Sequence, residues 1–290
     1  MTQDLAYLVG LAMDDPRLSG MQLVVEKELL HYDILFAMER GGFLDGLVFQ
    51  GDTALRLCHG APRFSEDLDF AGGADFTSSR LAALGDYLAE YLSGRYGLET
   101  VVKPPLEIRE IPDASKLVTA KWRISVVTRP AQPEVPRQRV HLEVCNVPSY
   151  ANTPMSMLRN YEFLPDGYEN MVIQVEAKDE ILADKLVAFP ATLPTHTRWR
   201  DMWDMHWLGR QGAVVNTDLV RAKIRDYRID GFAALLETAI DRIPDLIGSD
   251  GFIAQMGRFL TEPVAENTIR RKAWRDGVTR ELRDILTGLR

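Results

Sequence analysis

The stretch Leu47–Phe70 constrains the fold most, because its hydrophobic pattern changes three times within a short span. An apolar run before Gly51 predicts a buried strand followed by a turn. The residues after this turn predict a short helix that the Thr53 hydroxyl is placed to cap and that Gly60 is placed to end. Asp67–Phe70 then predicts a second strand, so the stretch reads as strand, turn, helix, loop and strand.

The first turn has the features of an anion site. Gly51, Asp52 and Thr53 lie where free backbone N–H groups and the helix dipole favour a phosphate, so these three residues are candidates for nucleotide binding. The alternative is an ordinary turn followed by a helix cap.

Two carboxylates follow on the second strand. Asp67 and Asp69 are two residues apart, so both side chains point to one face, while Leu68 and Phe70 point to the other. A few carboxylates beside substrate phosphates suit Mg²⁺ or Mn²⁺, which predicts that Asp67 and Asp69 hold a catalytic metal. The alternative is a solvated strand edge.

These residues resemble a known family. The sequence from 49 to 57, Phe-Gln-Gly-Asp-Thr-Ala-Leu-Arg-Leu, and that from 60 to 70, Gly-Ala-Pro-Arg-Phe-Ser-Glu-Asp-Leu-Asp-Phe, are similar to the AbiEii/AbiGii (MenT-type) nucleotidyltransferase toxins. Those toxins belong to the DNA polymerase β-like superfamily. The family usually has Gly-Gly or Gly-Ser where this chain has Gly51-Asp52, which leaves the effect of the extra carboxylate on nucleotide binding open.

A second motif also resembles this family, which has an Ala-x-Lys-Leu helix followed by Arg-Asp-x-x-Asp. Here the helix contains Lys185, and the later motif contains Asp201 and Asp204. The resemblance implies that Lys185 is a catalytic cation that binds the triphosphate; the alternative is a lysine that extends along an apolar face to water. Either Asp201 or Asp204 could orient Lys185 or hold a metal, and Asp204 could instead pair with Arg200 at four-residue spacing.

A third carboxylate is expected from another strand. Glu143 alternates with Leu142 and Val144, so it lies on one strand face together with His141. The superfamily uses a third carboxylate in this place, and the resemblance implies that Glu143 has this catalytic role. The alternative is a strand residue that faces solvent.

Ser65 is a candidate for nucleotide binding and for regulation. It lies two residues before Asp67 on the loop that enters the second strand. A phosphoryl group there would add about −1.5 to −2 charges, which would compete for Mg²⁺ and repel a triphosphate. The alternative is a hydroxyl that satisfies the local backbone of a turn.

Composition limits the class of protein. The 290 residues carry a formal net charge of −8, which argues against broad non-specific nucleic-acid binding and leaves room for a local basic surface. Glu266–Arg290 carries seven Arg/Lys residues against four acids, which predicts such a surface on the helical half. Two cysteines, no apolar run long enough to cross a bilayer and no secretory pattern predict a cytoplasmic protein without membrane contact.

The pattern of elements predicts an α/β (α+β) fold with a small mixed β-sheet flanked by helices and a mostly helical C-terminal domain. Residues 1–170 are expected to form a nucleotidyltransferase-like catalytic domain, and residues 171–290 a helical domain that contributes to the site. Among single elements we expect a helix over Ser78–Tyr96, a strand over Val101–Glu110 and a helix over Glu176–Phe189 that ends at Pro190.

The resemblance implies a function. It implies metal-dependent transfer of NMP from an NTP to an acceptor, which the family suggests is the 3′ end of tRNA, by the toxin of a bacterial toxin–antitoxin pair with a cognate antitoxin. Two alternatives stay open: nucleotidylation of a protein or small molecule, and a catalytically silent nucleotide-binding protein in which Asp52 disturbs the triphosphate site.

Overall fold

The chain divides into two compact units, Met1–Glu176 and Ala177–Arg290. The computed structural model describes residues 4–112, 116–164 and 167–290. The expected division into a catalytic and a helical domain at residue 170 stays a prediction.

The first unit is built on one mixed sheet. Its strands are β1 (Val48–Gln50), β2 (Leu68–Ala71), β3 (Thr100–Lys103), β4 (Thr119–Val126), β5 (Gln138–Cys145), β6 (Asn152–Ser156) and β7 (Val172–Glu176). The order across the sheet is β3-β4-β5-β2-β1-β7-β6. The pairs β2–β5 and β1–β7 are parallel, and the other neighbours are antiparallel.

Four α-helices of this unit lie among the described residues: α1 (Leu5–Met13), α2 (Gln22–Arg40), α3 (Gly51–Leu57) and α4 (Leu84–Tyr96). Strand β5 shows how the sheet is anchored, because Val140, Leu142 and Val144 are buried whereas the alternating residues are partly exposed. The core therefore lies on one face of β5, and polar side chains occupy the other.

The second unit is helical throughout its regular elements. It contains α5 (Lys178–Thr192), α6 (Trp199–Arg210), α7 (Thr217–Asp226), α8 (Phe232–Gly248), α9 (Asp250–Gly257), α10 (Glu262–Asn267) and α11 (Lys272–Thr287). Helix α5 packs on α6, α7 and α8, and α8 packs on α11. The expected α/β fold with a helical C-terminal part is confirmed.

Three local expectations were wrong. The helix expected from Ser78 begins as a 3₁₀ turn and becomes α-helical only at Leu84. Strand β3 ends at Lys103, because two prolines follow and cannot donate to a strand ladder. Helix α5 continues through Pro190 to Thr192, so the proline removes one hydrogen bond near the end of the helix without ending it. No helix in the described part of the chain is long and apolar enough to span a bilayer.

Candidate active site

Four neighbouring strands present polar side chains at one level of the sheet. Gln50 on β1 pairs with Asp69 on β2, Asp69 pairs with Glu143 on β5, and Glu143 pairs with Lys121 on β4. Directly paired residues project to the same face of a sheet, so the two carboxylates are neighbours. The structure thus brings together two acids that lie far apart in the sequence.

Gly51 closes this row at the end of β1. Its φ of 74° is in the left-handed region, which a residue with a side chain enters at a cost. A Cβ atom at Gly51 would lie 3.0 Å from Oδ2 of Asp69. The turn before α3 therefore passes directly against the Asp69 carboxylate, which is the close approach that only glycine allows without displacement.

Asp67 lies immediately before β2, and His141 and Thr53 hold it through three contacts. Its Oδ1 accepts a hydrogen bond from the backbone N–H of His141 at 3.2 Å, and His141 Nδ1 is also 3.2 Å from this oxygen. The Thr53 hydroxyl donates to the backbone carbonyl of Asp67. The expected cap is therefore wrong: α3 already begins at Gly51, and the buried Thr53 hydroxyl connects this helix to the strand that carries the acids.

The carboxylate of Glu143 remains open to solvent. Lys121 Nζ lies 2.6 Å from Glu143 Oε1, and about a third of the Glu143 side chain is exposed (30%). The ion pair with Lys121 therefore orients Glu143 while its carboxylate stays accessible.

Asp52, the departure from the family pattern, has a cationic partner. Arg63 Nη2 lies 3.1 Å from Asp52 Oδ2, and Arg63 is almost completely buried. Its Nη1 also donates to the carbonyl of Phe64 at 2.8 Å. Sequence reasoning missed Arg63, although the coincidence of an unusual acid and an arginine in the next loop was the available signal.

Helix α2 holds the loop between α3 and β2. Lys27 Nζ is 3.2 Å from Glu66 Oε1, and His31 Nε2 is 3.0 Å from the Glu66 carbonyl oxygen. Burial lowers the pKa of His31 to about 4, so its imidazole is neutral at physiological pH and can donate to that carbonyl. The same loop buries Ser65, whose hydroxyl oxygen has no hydrogen-bond partner within the described residues.

Lys185 occupies a buried cluster in the second unit. Its Nζ lies 2.9 Å from Asp201 Oδ1 and 2.8 Å from Asp204 Oδ2, and all three side chains are at most 5% exposed. Arg198 Nε contacts the second carboxylate oxygen of Asp201. Lys185 therefore does not extend to water, and both aspartates, not one of them, hold its ammonium.

A second buried lysine was not singled out in the sequence. Lys223 on α7 is fully buried, with its Nζ 2.6 Å from Glu180 Oε1 and 3.2 Å from Asp184 Oδ2 on α5. The Tyr227 hydroxyl donates to Asp184 at 2.9 Å. The acids four residues apart on α5 were the signal, since such a pair on one helix face requires a cation when it is buried.

The donor set of the first unit suits a hard divalent cation. Asp67, Asp69 and Glu143 supply carboxylate oxygens from neighbouring positions, and oxygen ligands are what Mg²⁺ and Mn²⁺ prefer. A glycine turn before a helix, with carboxylates on adjacent strands of a mixed sheet, is an arrangement suited to metal-assisted transfer of phosphoryl or nucleotidyl groups.

Comparison with known proteins agrees with this class. A family model described as nucleotidyl transferase AbiEii toxin, type IV toxin–antitoxin system, matches residues 33–289. The chain therefore belongs to the AbiEii nucleotidyltransferase toxin family. Membership makes it a nucleotidyltransferase and implies an NTP substrate and an antitoxin partner, which confirms the resemblance seen in the sequence.

Solved structures resemble the chain at low sequence identity. MenT4, a nucleotidyltransferase toxin from Mycobacterium tuberculosis H37Rv, has a TM-score of 0.53 and 18% identity, with 99% of this chain and 91% of that chain covered. JHP933 from Helicobacter pylori has a TM-score of 0.45 and 17% identity, with 92% of this chain and 96% of that chain covered. A search of curated proteins gave no significant match. At these identities, the MenT4 likeness supports the fold alone.

Proposed function

We propose that this enzyme transfers NMP from an NTP to an RNA acceptor, the 3′ end of tRNA, in a reaction that depends on Mg²⁺ or Mn²⁺. The observation that carries the proposal is the pairing of Asp69 with Glu143 beside the Gly51 turn. A toxin with this activity would act in the cytoplasm, where NTPs and tRNA are found.

Asp67 and Asp69 would hold the metal, with Glu143 next to them. Bound there, Mg²⁺ or Mn²⁺ would supply charge stabilisation at the phosphates of the NTP. The protein contributes by orienting the ligands: His141 and Thr53 hold Asp67, and the pairing of β2 with β5 sets the position of Asp69. Fixed ligands of this kind reduce the reorganisation needed at the moment of reaction.

The turn at Gly51–Thr53 would bind the triphosphate through backbone N–H groups. The carboxylate of Asp52 is paired with Arg63 and does not present a bare negative charge to the nucleotide. This pairing weighs against the alternative in which Asp52 abolishes NTP binding.

Glu143 would accept the proton of the attacking acceptor hydroxyl or hold that hydroxyl in place. The bond formed joins the acceptor oxygen to the α-phosphorus, the bond broken joins the α-phosphorus to its bridging oxygen, and pyrophosphate leaves. Lys121 orients Glu143 for this role through its 2.6 Å contact.

Lys185, Asp201 and Asp204 are proposed to serve the triphosphate as one group. Two carboxylates hold the ammonium of Lys185 in a defined position, which favours a fixed phosphate contact over a mobile one.

Phosphorylation of Ser65 stays a prediction. Because Ser65 is buried, a kinase would reach its hydroxyl only after the loop opens.

The test is incubation with each α-³²P-labelled NTP, bulk tRNA and Mg²⁺ or Mn²⁺, with Asp69→Asn as the inactive control. We expect label on RNA from the wild type alone, and none after EDTA treatment. Label on protein or on a small molecule would replace the RNA acceptor in this proposal. The absence of label on any acceptor in a lysate would reject transferase activity under these conditions.

A further inference from the structure

Besides Lys121, the sheet face that carries Glu143 presents three further cations. On β5, Arg139 alternates with His141 and Glu143, so the three side chains share one face. His141 pairs with Arg123 on β4, and Arg123 pairs with Lys103 on β3. We name Lys103, Arg123 and Arg139 the sheet-face cations.

The sheet-face cations are exposed and free of anionic partners. Each of the three residues is exposed, and none forms an ion pair within the part of the chain that the structure describes. Lys121, which lies between them and the acids, is already paired with Glu143. Three neighbouring cations that repel one another are stabilised by a polyanion.

The basic segment Glu266–Arg290 differs in this respect. Arg270 contacts both Glu262 and Glu266, Lys272 pairs with Asp276 at 2.7 Å, and Arg290 pairs with Glu237 at 2.7 Å. Three of the seven cations in that segment therefore have acidic partners among the described residues. None of the sheet-face cations has such a partner in the part of the chain that the structure describes, so their positive charges are available to a polyanion.

The distance from the acids fits a strand of nucleic acid. A rise of about 3.3 Å per strand residue puts the backbone of His141 roughly 7 Å and that of Arg139 roughly 13 Å from Glu143 along β5. Strands about 4.8 Å apart extend the cations sideways to β3. An acceptor whose backbone crosses this face would place its end at the Glu143 carboxylate.

The geometry points to the β3–β4–β5 face as the surface that binds the phosphate backbone of the acceptor RNA, with the sheet-face cations as its phosphate contacts. The inference rests on the proposed transfer to RNA and names where that RNA lies. Phosphate contacts of this kind position the nucleic acid without reading its sequence. The three residues are therefore positioning residues that act on acceptor binding and not on the chemical step.

The experiment compares two triple variants of equal charge. The test variant is Lys103→Ala, Arg123→Ala and Arg139→Ala. The control variant, Arg210→Ala, Arg225→Ala and Arg242→Ala, removes three exposed cations from helices of the second unit. Circular dichroism and thermal unfolding check that both fold. Binding of fluorescein-labelled bulk tRNA is measured by anisotropy across a range of salt concentrations, together with steady-state transfer.

We expect the test variant to bind labelled tRNA at least about tenfold more weakly than the wild type, with the salt slope reduced by roughly two to three. The KM for RNA should rise, while the KM for NTP and kcat at saturating RNA stay unchanged. The salt slope of the control variant should stay within about one unit of the wild-type slope, because one phosphate contact changes the slope by about one.

Three results would overturn the inference. They are equal losses in the two variants, an unchanged salt slope in the test variant, and an unchanged KM for RNA in the test variant. Failure of the proposed function has a different signature: wild-type protein would bind tRNA through this face and transfer no nucleotide to RNA. Conversely, transfer to RNA with an unchanged KM for RNA in the test variant rejects only the inference.

Discussion

Asp69 on β2 and Glu143 on β5 occupy directly paired positions in a parallel strand pair, so two acids that lie far apart in the sequence meet on one face. Parallel strands require a long crossover between them, and here that crossover contains α4, β3 and β4. The relation depends on strand order and not on local pattern, and it is the basis of the first prediction.

Replacing either acid of this pair should abolish transfer without unfolding the protein. Asp69→Asn and Glu143→Gln keep size and shape while removing a charge from partly exposed positions. Removal of a group that only hydrogen-bonds to a metal ligand commonly lowers metal affinity or activity about 10- to 100-fold. We therefore expect the transfer rate of either variant to fall at least about a hundredfold. Asp86→Asn on the exposed face of α4 is the matched control. Normal activity in folded Asp69→Asn would reject the metal site.

Gly51→Ala should reduce activity through Asp69. The left-handed φ costs about 1–2 kcal/mol for any residue with a Cβ, and the new Cβ would also press on the Asp69 carboxylate. Gly42→Ala is the matched control, because Gly42 has a φ of 70° and nothing within 4 Å of an added Cβ. Both variants should lose the stability that the left-handed φ costs, and Gly51→Ala should lose more because of its contact with Asp69. Only Gly51→Ala should lose roughly ten- to hundredfold in transfer. Equal activities would show that the close approach to Asp69 has no catalytic consequence.

Lys185→Met should destabilise the protein strongly. The substitution leaves Asp201 and Asp204 buried beside each other without the ammonium between them. Breaking a buried charge cluster in this way costs about 3–5 kcal/mol, measured as the free energy of unfolding in urea. Lys272→Met, whose ion pair with Asp276 is exposed, should change stability little. Unchanged stability would contradict the buried charge cluster. Unchanged affinity of the folded variant for a non-hydrolysable NTP would contradict the proposed phosphate contact, whose loss should weaken binding roughly ten- to hundredfold.

Arg56→Ala should be similarly costly in the first unit. Arg56 Nε and Nη2 lie 2.7 and 3.0 Å from the two carboxylate oxygens of Glu28, which is buried, and its guanidinium is 4.3 Å from the Phe64 ring. Removing Arg56 takes away the two guanidinium N–H groups that donate to the buried Glu28 carboxylate. We therefore expect a loss of about 3–5 kcal/mol in unfolding free energy. Arg17→Ala, which breaks an exposed pair with Asp15, is the control and should have little effect. Comparable effects of the two substitutions would contradict this account.

The stability of the protein should decrease in acid because of His31. Burial lowers the pKa of His31 to about 4, whereas the unfolded value is about 6.5. Between these pH values the unfolded chain binds a proton that the folded protein does not, so the free energy of unfolding falls as pH decreases, by about 3 kcal/mol in total. Above about pH 6.5 His31 is neutral in both states, so this loss of unfolding free energy is absent there.

His31→Gln tests this pH dependence, because glutamine can still donate to the Glu66 carbonyl and does not titrate. Urea unfolding of His31→Gln should show a shallower dependence between pH 6.5 and pH 4 than the wild type. His196→Gln, at an exposed histidine, should retain the wild-type dependence. An identical profile for His31→Gln would mean that other groups cause the acid sensitivity.

The local pattern of the first motif was sufficient to predict several elements. Alternation and glycine placement predicted β1, α3 and β2 around Gly51 and Asp69, because strand and helix periods depend on neighbouring residues alone. The order of motifs also identified the family. These features need no knowledge of which strands are neighbours.

Burial and long-range pairing required the tertiary structure. Whether Asp201 or Asp204 holds Lys185 could not be chosen from spacing, since one helix face offers both and the packing of α5 on α6 brings both to the ammonium. The burial of Ser65 likewise depends on the packing of its loop. Which side chains are buried depends on many contacts between residues far apart in the sequence. The net stability of the fold is a small difference between large opposing free energies, so local spacing does not decide it.

The sequence by itself thus determined which residues carry carboxylates and cations, and on which local element most of them lie. Only the tertiary structure decided that Glu143 is the neighbour of Asp69, that Arg63 pairs with Asp52, and that the sheet-face cations adjoin the acids. The physical reason is that a strand's face follows from its own alternation, whereas its partner is chosen by the packing of the whole sheet.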